Sequence, residues 1–315
     1  MKIIPEQKLL TSKLIFIGGV TRCGKSFLCP IVSSFYKHEM FFMSSVAENI
    51  SYIDKLRGID KNFSKFLVKL IFNELIYNLN IGRNLNFRKS DYTSIKKYKN
   101  PKMYLDRMLG IEGNKIIKRI KKDNNSYPIM FHDILINPQL LLECFKNSKI
   151  IFVDRHPVEL IEEWLGKKYY GDFYKNPRNV TLSFNYDNAN YPHWSLDQIK
   201  NIKSAKNNIE KTVFLLGSLI LKQKLNFKKL SKKHKKRVIN IKFDNLVSKS
   251  DKEIKKICKF LKTRPSTYTK EILNKEGGNR EIDFSSRKKK RNKIIKKLSS
   301  KPKLLFEEIE RIYEN

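Results

Sequence analysis

The chain has 315 residues, a formal net charge of +35 and an ordinary aliphatic and aromatic content, which excludes wholesale disorder. Its lysines are spread along the chain among many Ile and Asn residues. We therefore interpret the charge as a solvated basic surface with one functional anion site, and we do not expect a nucleic-acid groove.

The first residues, 1–12, read as a short leader. No apolar run before Leu14 is long enough for a signal peptide or a membrane anchor. The four cysteines show no C-x-x-C pairing and no ligand-like histidine spacing, which favours free thiols in a reducing compartment. We expect a cytoplasmic protein.

A short apolar strand, a glycine-rich turn and a helix come next. The strand covers residues 14–17, and apolar side chains at helical spacing predict a helix over about 24–36. The turn between them fits G-x-x-x-x-G-K-[ST] from Gly19 to Ser26. Glycines let the backbone approach an anion, the helix N-terminus points N–H groups at it, and Lys25 adds a positive charge. The sequence therefore predicts a phosphate site.

A second strand candidate covers residues 39–43. Glu48 would follow near its carboxyl end, where open parallel sheets place their ligands. The segment 50–125 then changes character, with predicted helices over 63–79 and 103–120 separated by a polar stretch. We interpret it as a helical insertion that covers one side of the site.

Two further strands end in side chains that carry chemistry. Residues 128–131 end at His132, followed by Asp133. Residues 149–153 are continuous and apolar, as buried parallel strands are, and Arg155 follows them closely. At the sheet edge these side chains would join the glycine-rich turn.

Residues 166–196 are rich in aromatic side chains without helical period, which predicts a long functional loop on the acceptor side. A long helix over 199–229, a last strand over 238–241, a helix over 252–261 and a basic tail over 277–315 follow. The aromatic residues of the loop are Tyr169, Tyr170, Phe173, Tyr174, Phe184, Tyr186, Tyr191 and Trp194.

Strands that alternate with helices predict a parallel sheet with right-handed crossovers. We expect one α/β domain over 1–315, a three-layer parallel sheet with helical insertions. The cationic candidates fall after the first and fourth strands, in two clusters. Two clusters suggest a ligand with two separated phosphates, such as a 3′,5′-bisphosphorylated adenosine.

Three segments resemble the sulfotransferases that use 3′-phosphoadenosine 5′-phosphosulfate (PAPS). Residues 16–26 are similar to the 5′-phosphosulfate loop of that family, and residues 149–157 to its 3′-phosphate segment. Residues 238–261 are similar to its late strand, turn and helix, so the matches come in family order. The resemblance implies a P-loop type of fold and transfer of a sulfuryl group from PAPS to a hydroxyl acceptor, a carbohydrate or small metabolite.

The resemblance also implies roles for single residues. His132 would be the general base, and Glu48 is the alternative, with Glu39 behind it, because glycan and tyrosine sulfotransferases use a carboxylate after the second strand. Lys25 would assist the transfer, and no metal is required. The donor-binding residues would be Gly19, Thr21, Arg22, Cys23, Gly24, Lys25, Ser26, Phe27 and Arg155, the last on the 3′-phosphate.

The chain departs from the family in three places. Lys25 stands where Thr is common, and Glu163 stands where the family usually places Ser. A carboxylate beside a phosphate would repel it unless the side chain turns away. The lysine often found just before the base histidine is also absent, since Met130 and Phe131 occupy its place.

Two other functions stay open. The first is an ATP-dependent small-molecule kinase, in which Ser26 and either Asp154 or Asp133 would hold Mg²⁺ while Lys25 binds the phosphates. The second is a non-catalytic protein whose basic surface and tail bind anions or nucleic acid. A requirement for Mg²⁺ would distinguish the kinase from the sulfotransferase.

Overall fold

The computed structural model describes residues 5–110, 112–171 and 181–315. Five strands form a wholly parallel sheet in the order β2–β3–β1–β4–β7, and two others form an antiparallel hairpin. The strands are β1 (Leu14–Gly19), β2 (Phe42–Met43), β3 (Tyr127–His132), β4 (Lys149–Asp154), β5 (Ser183–Tyr186), β6 (Ala189–Pro192) and β7 (Val238–Lys242).

Successive side chains of a strand point to opposite faces of the sheet, and every residue of β1 is buried. Helices therefore cover both faces of the parallel sheet. The helices are α1 (Lys25–Ser33), α2 (Ser45–Lys55), α3 (Lys61–Asn80), α4 (Pro101–Met108), α5 (Asn114–Asp123), α6 (Pro138–Cys144), α7 (Pro157–Gly166), α8 (Ile199–Lys203), α9 (Asn208–Lys228), α10 (Lys232–Lys235), α11 (Phe243–Ser248), α12 (Ser250–Leu261), α13 (Thr269–Lys275), α14 (Phe284–Ile295) and α15 (Ser300–Glu314). The predicted α/β class, with helices layered around a parallel sheet, is confirmed.

The central strand β1 sets the position of the turn that follows it. Its residues pair with β3 on one side and β4 on the other, so that Gly19 lies beside His132 and Gly18 beside Phe152. Because all three strands run in one direction, their carboxyl ends meet at one edge of the sheet. This edge, called the carboxyl edge below, carries the glycine-rich turn.

Two helices predicted as continuous are broken. The predicted helix over 103–120 ends at Met108 and resumes at Asn114, after Gly113 with a φ of 62°. The predicted helix over 199–229 is interrupted before Asn207, whose side chain accepts hydrogen bonds from the first N–H groups of α9. In both places a helix start signal overrides the apolar periodicity.

The predicted aromatic loop contains a hairpin, β5–β6. Its two-residue turn, Asp187-Asn188, has φ values of 51° and 57°, which Asp and Asn tolerate and which match the twist of paired strands. Phe173 and Tyr174 of the same predicted loop lie outside the described residues.

The predicted basic tail folds onto the rest of the chain. Arg287 donates to both carboxylate oxygens of Asp244 at 2.8 and 2.9 Å and to Glu159 at 2.7 Å. Arg291 pairs with Glu310. Part of its charge is therefore neutralised by structural ion pairs.

Within the described ranges, no helix combines the length and apolarity that crossing a lipid bilayer requires. The four cysteines are all free and buried.

Candidate functional site

The turn between β1 and α1 is bounded by two glycines with positive φ, Gly19 at 153° and Gly24 at 104°. A Cβ on Gly19 would lie 2.3 Å from the carbonyl oxygen of Val153, and one on Gly24 would lie 2.2 Å from the ring of Phe243. Gly24 also leaves α1 without a side-chain cap. Since the first N–H groups of a helix have no partner within it, the turn offers donors that suit an anion.

Lys25 begins α1, and its side chain lies within the turn. The residue is 5% exposed, and Nζ donates to the carbonyl oxygens of Gly19 and Val20, each at 3.1 Å. The structure thus holds the ammonium of Lys25 beside the helix N-terminus, where both attract negative charge.

Cys23 and Ser26 take different places in the same turn. The N–H of Cys23 donates to the carbonyl oxygen of Val20 at 2.9 Å, and its thiol is buried. Burial raises the pKa of this thiol, although the charge of Lys25 opposes the shift. Ser26 is only half-buried in the first turn of α1, so its hydroxyl is the more accessible of the two groups.

Arg22 and Arg155 meet at one carboxylate. Nη2 of Arg22 lies 2.6 Å from Oε2 of Glu163, and Nη2 of Arg155 lies 3.6 Å from Oε1. Arg155 also donates to the carbonyl oxygen of Arg22 at 2.8 Å. The two cationic clusters expected from the sequence are therefore joined through Glu163 in this structure.

The charge of Glu163 is maintained by these arginines. Burial raises the pKa of its carboxyl, but the hydrogen bond and charge of Arg22, together with the charge of Arg155, outweigh burial and lower the pKa below its ordinary value. Glu163 therefore stays ionised at neutral pH, and the side chain is 27% exposed.

Aromatic side chains not singled out in the sequence support the turn. The ring of Phe243 packs edge-on against Phe27 with 6.0 Å between centroids, and the guanidinium of Arg155 lies 5.2 Å from the same ring. Nε1 of Trp164 donates to the carbonyl oxygen of Thr21 at 3.0 Å. The ring of Phe243 fills the space that a side chain at position 24 would take, which explains why that position is a glycine.

His132 and Glu48, predicted as alternative bases, are in contact. Nδ1 of His132 lies 3.2 Å from both carboxylate oxygens of Glu48, and the backbone N–H of His132 donates to Oε1 at 2.9 Å. Glu48 is buried, whereas the His132 side chain is 30% exposed. The carboxylate thus fixes the ring and leaves Nε2 facing outward from the pair.

Tyr52 and His193 join this pair to the aromatic segment. The hydroxyl of Tyr52 donates to the carbonyl oxygen of His132 at 2.6 Å, and the ring of His193 stacks on Tyr52 with 4.3 Å between centroids. Only the position of His193 in the aromatic segment could have suggested this contact from the sequence.

Two carboxyls lie at the carboxyl ends of the strands that flank β1: Asp133, which is buried and directly follows β3, and Asp154, which is partly buried and ends β4. Burial raises the pKa of Asp133 to about 6, with Lys25 and His132 opposing the shift and Glu48 adding to it. Burial likewise raises the pKa of Asp154 to about 6, opposed by a hydrogen bond from Asn240 and the charge of Lys242. Among the residues that the structure describes, no cluster of three or more His, Cys, Asp or Glu side chains suits a metal ion.

Glu39 lies away from the site. It is buried and binds Arg107 through both carboxylate oxygens, and it also accepts from Tyr104 at 2.6 Å and Asn125 at 2.7 Å. Asn125 precedes the start of β3, so Glu39 lies at the opposite edge of the sheet from His132. Glu39 therefore serves the packing of the helical insertion.

The arrangement brings three kinds of group to one edge of the sheet. Anion donors lie in the turn, a pair of arginines lies on the β4 side, and a histidine oriented by a carboxylate lies on the β3 side. Such a site can bind a phosphorylated ligand and accept a proton beside it.

No protein-family model matches the chain, and no curated protein matches it. Solved structures do match. A sulfotransferase domain from the Synechococcus olefin synthase is 12% identical with a TM-score of 0.48, and the match covers 100% of this chain and 98% of that one. A sulfotransferase domain from the curacin biosynthetic pathway is 13% identical with a TM-score of 0.43, covering 81% and 75%. A sulfotransferase from Mycobacterium tuberculosis is 7% identical with a TM-score of 0.43, covering 91% and 76%. These matched structures are sulfotransferases, the family that the sequence motifs resemble.

Proposed function

We propose that this chain transfers a sulfuryl group from PAPS to the hydroxyl of a carbohydrate or another small metabolite. The observation that carries the proposal is the His132–Glu48 pair at the end of β3, directly beside the anion-binding turn at the end of β1. A proton acceptor next to a phosphate site is what transfer to a hydroxyl requires.

The donor would occupy the turn and the arginine pair. Arg22, Gly24, Lys25 and Ser26 would hold the 5′-phosphosulfate, and Arg155 would hold the 3′-phosphate. Gly19 and Gly24 permit the close approach of the backbone, which a Cβ at either position would prevent. Thr21, Cys23 and Phe27 would contribute by shaping the turn.

The donor must also displace Glu163 from the arginine pair. The carboxylate binds Arg22 closely and Arg155 loosely in this structure. Because it is partly exposed and held only by side chains, it can turn away when a phosphate takes its place. Donor affinity in this proposal is therefore a competition between two anions for the same guanidinium groups.

The acceptor hydroxyl would lie next to Nε2 of His132. As its oxygen attacks sulfur, the bond between sulfur and the bridging oxygen of the donor breaks, and adenosine 3′,5′-bisphosphate leaves. The hydroxyl proton passes to Nε2, and Glu48 stabilises the imidazolium through Nδ1. Lys25 and the N–H groups of the turn stabilise the charge that develops on the bridging oxygen.

The aromatic segment would form the acceptor side. His193 contacts Tyr52, which in turn donates to the carbonyl oxygen of His132. Phe184 and Tyr186 of the hairpin are exposed, and their rings would suit stacking on a sugar. We place the activity in the cytoplasm, in keeping with four free thiols.

Calorimetric titration tests the donor site. We expect adenosine 3′,5′-bisphosphate to bind without metal, and ATP with Mg²⁺ to bind weakly. Arg155→Ala should abolish most of the bisphosphate binding. If ATP with Mg²⁺ binds tightly and the bisphosphate does not, the site belongs to a kinase.

The kinase is the second candidate because of one observation. Asp133 is buried close enough to Lys25 for the charge of Lys25 to shift the pKa of the carboxyl, and Oδ1 of Asp133 has no hydrogen-bond partner among the described residues. In a kinase this carboxyl, or Asp154, would hold the metal beside the phosphates. The Mg²⁺ arm of the titration separates the two functions.

A further inference from the structure

A cavity of about 740 Å³ opens at the edge of the sheet opposite to the candidate site. It is bordered by residues that precede or begin the parallel strands, among them Lys13 before β1, Ser126 before β3 and Lys149 in β4. Because the strands are parallel, their amino ends meet here, and we call this the amino-edge cavity. Neither the turn nor the His132–Glu48 pair contributes to it.

The lining of the amino-edge cavity is strongly cationic. In the part of the chain that the structure describes, no Asp or Glu side chain belongs to it. Its cationic side chains are Lys13, Lys37, Lys146, Lys149, Lys262, Arg237 and Arg264.

These charges have no carboxylate partners. Every ion pair between described residues joins other side chains, so none of the seven cations lies within 4.0 Å of an acidic group that the structure describes. Arg237 donates to the carbonyl oxygens of Leu142 and Phe145, and to Ser148, all of them neutral. Elsewhere in the fold, in contrast, buried arginines such as Arg107 and Arg287 are paired with carboxylates.

The charged forms of two half-buried cations in the lining, Lys149 and Arg237, are destabilised by their surroundings. Burial lowers the pKa of Lys149, and the charge of Lys262 lowers it further. Burial also lowers the pKa of Arg237. A bound anion would remove this destabilisation, whereas a neutral ligand would leave it.

The shape of the cavity favours a compact ligand. Its volume falls within the range of small-molecule sites, about 300–1,000 Å³. The cations converge on one concavity from several loops, instead of forming the extended stripe that follows a nucleic-acid backbone. Lys146 and Lys262 are exposed, and neither ammonium has a hydrogen-bond acceptor among the described residues, so both are available to a ligand.

We propose that the amino-edge cavity binds a compact, multiply charged phosphate or sulfate ester, at a site separate from the one at the carboxyl edge. The ligand would contact Lys37, Lys146, Lys262 and Arg264, which all line the cavity. This proposal does not depend on the sulfotransferase function, since it uses none of the same residues.

Inorganic tripolyphosphate is the probe for the cavity. We expect it to bind the wild-type chain at low salt and to raise the thermal midpoint. The double variant Lys146→Ala/Lys262→Ala should bind it about tenfold more weakly, because two charge-assisted contacts are lost. The matched variant Lys288→Ala/Lys289→Ala removes two exposed lysines from α14 and should keep the wild-type affinity.

A third variant and two further probes complete the test. Arg155→Ala should lose adenosine 3′,5′-bisphosphate binding but keep tripolyphosphate binding at the cavity, so that failure of one proposal is distinguishable from failure of the other. Equal tripolyphosphate affinity in the cavity variant and the wild type overturns the proposal. So does a cavity variant that loses affinity for single-stranded DNA while tripolyphosphate does not bind, since the surface would then serve nucleic acid.

Discussion

At the residue scale, the two predicted bases are parts of one pair. Glu48 contacts Nδ1 of His132 and also accepts from its backbone N–H, which fixes the ring in one orientation. The sequence could place both residues after strands, but it could not choose between them. The choice depends on α2 turning Glu48 back over the end of β3, a tertiary contact that no local pattern specifies.

The pair predicts a graded effect of substitution. His132→Ala should lower kcat by roughly 10²–10⁴-fold and spare donor binding, because the proposed general base is removed. Glu48→Gln should lower kcat by about 10–100-fold, since the ring stays but loses its orienting charge. Sulfuryl transfer to a test acceptor and calorimetric donor binding measure the two effects. His234→Ala, which changes a histidine on α10, is the control and should keep the wild-type kcat. A normal kcat in His132→Ala would exclude His132 from the mechanism.

Glu163 predicts a gain of affinity. Glu163→Gln should tighten binding of adenosine 3′,5′-bisphosphate by roughly threefold to tenfold, because the carboxylate that binds Arg22 and Arg155 is neutralised. Titration calorimetry measures the change. Glu162→Gln, which alters a neighbouring carboxylate outside these ion pairs, should leave the affinity as it is. Weaker binding in Glu163→Gln would mean that the carboxylate contacts the ligand directly.

Asp133 predicts a pH dependence of stability. Burial raises its pKa to about 6, above the value of about 3.9 expected in the unfolded chain. Between these two values the folded protein binds the proton more tightly than the unfolded chain does. Stability from this group is therefore present at low pH and is lost as pH rises through about 6.

Replacing the carboxyl should remove that loss. Asp133→Asn should raise the free energy of unfolding by about 3 kcal/mol at pH 7.5 but by only about 0.5 kcal/mol near pH 4, where the folded carboxyl is protonated and the unfolded one is about half ionised. Asn also tolerates the φ of 44° at this position. Urea denaturation at both pH values measures the difference. If the difference in free energy of unfolding between Asp133→Asn and the wild type is the same at both pH values, the raised pKa of Asp133 is contradicted.

At the element scale, the turn between β1 and α1 requires a glycine at its last position. Gly24 has a φ of 104°, and Phe243 fills the space beside it. Gly24→Ala should therefore lower the free energy of unfolding by more than about 2 kcal/mol, through backbone strain and the displaced ring, and should weaken donor binding. Chemical denaturation and calorimetry measure both.

Gly166→Ala is the matched control, because a Cβ there meets nothing within 4 Å and the φ is not positive. It lies at the end of α7, where alanine is a better helix former than glycine. A Gly24→Ala protein as stable as Gly166→Ala would mean that the turn is not constrained as described.

The elements that the sequence predicted well are those with one dominant local signal. Leu14 to Ile17 is a continuous apolar run that forms part of a fully buried strand. Residues 150–153 are another such run, and all but Phe152 are buried. The predicted helix over 199–229 is wrong near Asn207, where the helix is interrupted and α9 begins. The hairpin was missed because aromatic and Asn residues obscure its alternation, although Asp187-Asn188 is a turn signal of the right kind.

At the scale of the whole molecule, the sequence predicted that the candidate site residues meet at one edge of the sheet but not how they are connected. The glycine-rich turn and Arg155 each follow a strand, and His132 ends another. Parallel strands bring such residues together at one edge of the sheet. The link from Arg22 through Glu163 to Arg155 depends on the packing of α7, which residues far apart along the chain determine. The same holds for the amino-edge cavity, whose lysines are distant in sequence and looked like dispersed surface charge.

The position of β1 between β3 and β4 has a consequence for how the protein is made. Leu14 pairs with Tyr127, and Ile15 with Lys149, so the first strand of the sheet has no strand partner until more than a hundred further residues are synthesised. At typical translation rates this takes roughly 5–20 s. During that interval an apolar strand edge is exposed to other nascent chains. Early synthesis is therefore the stage at which this protein most needs a chaperone. The glycine-rich turn exists as a formed structure only after β4 has emerged.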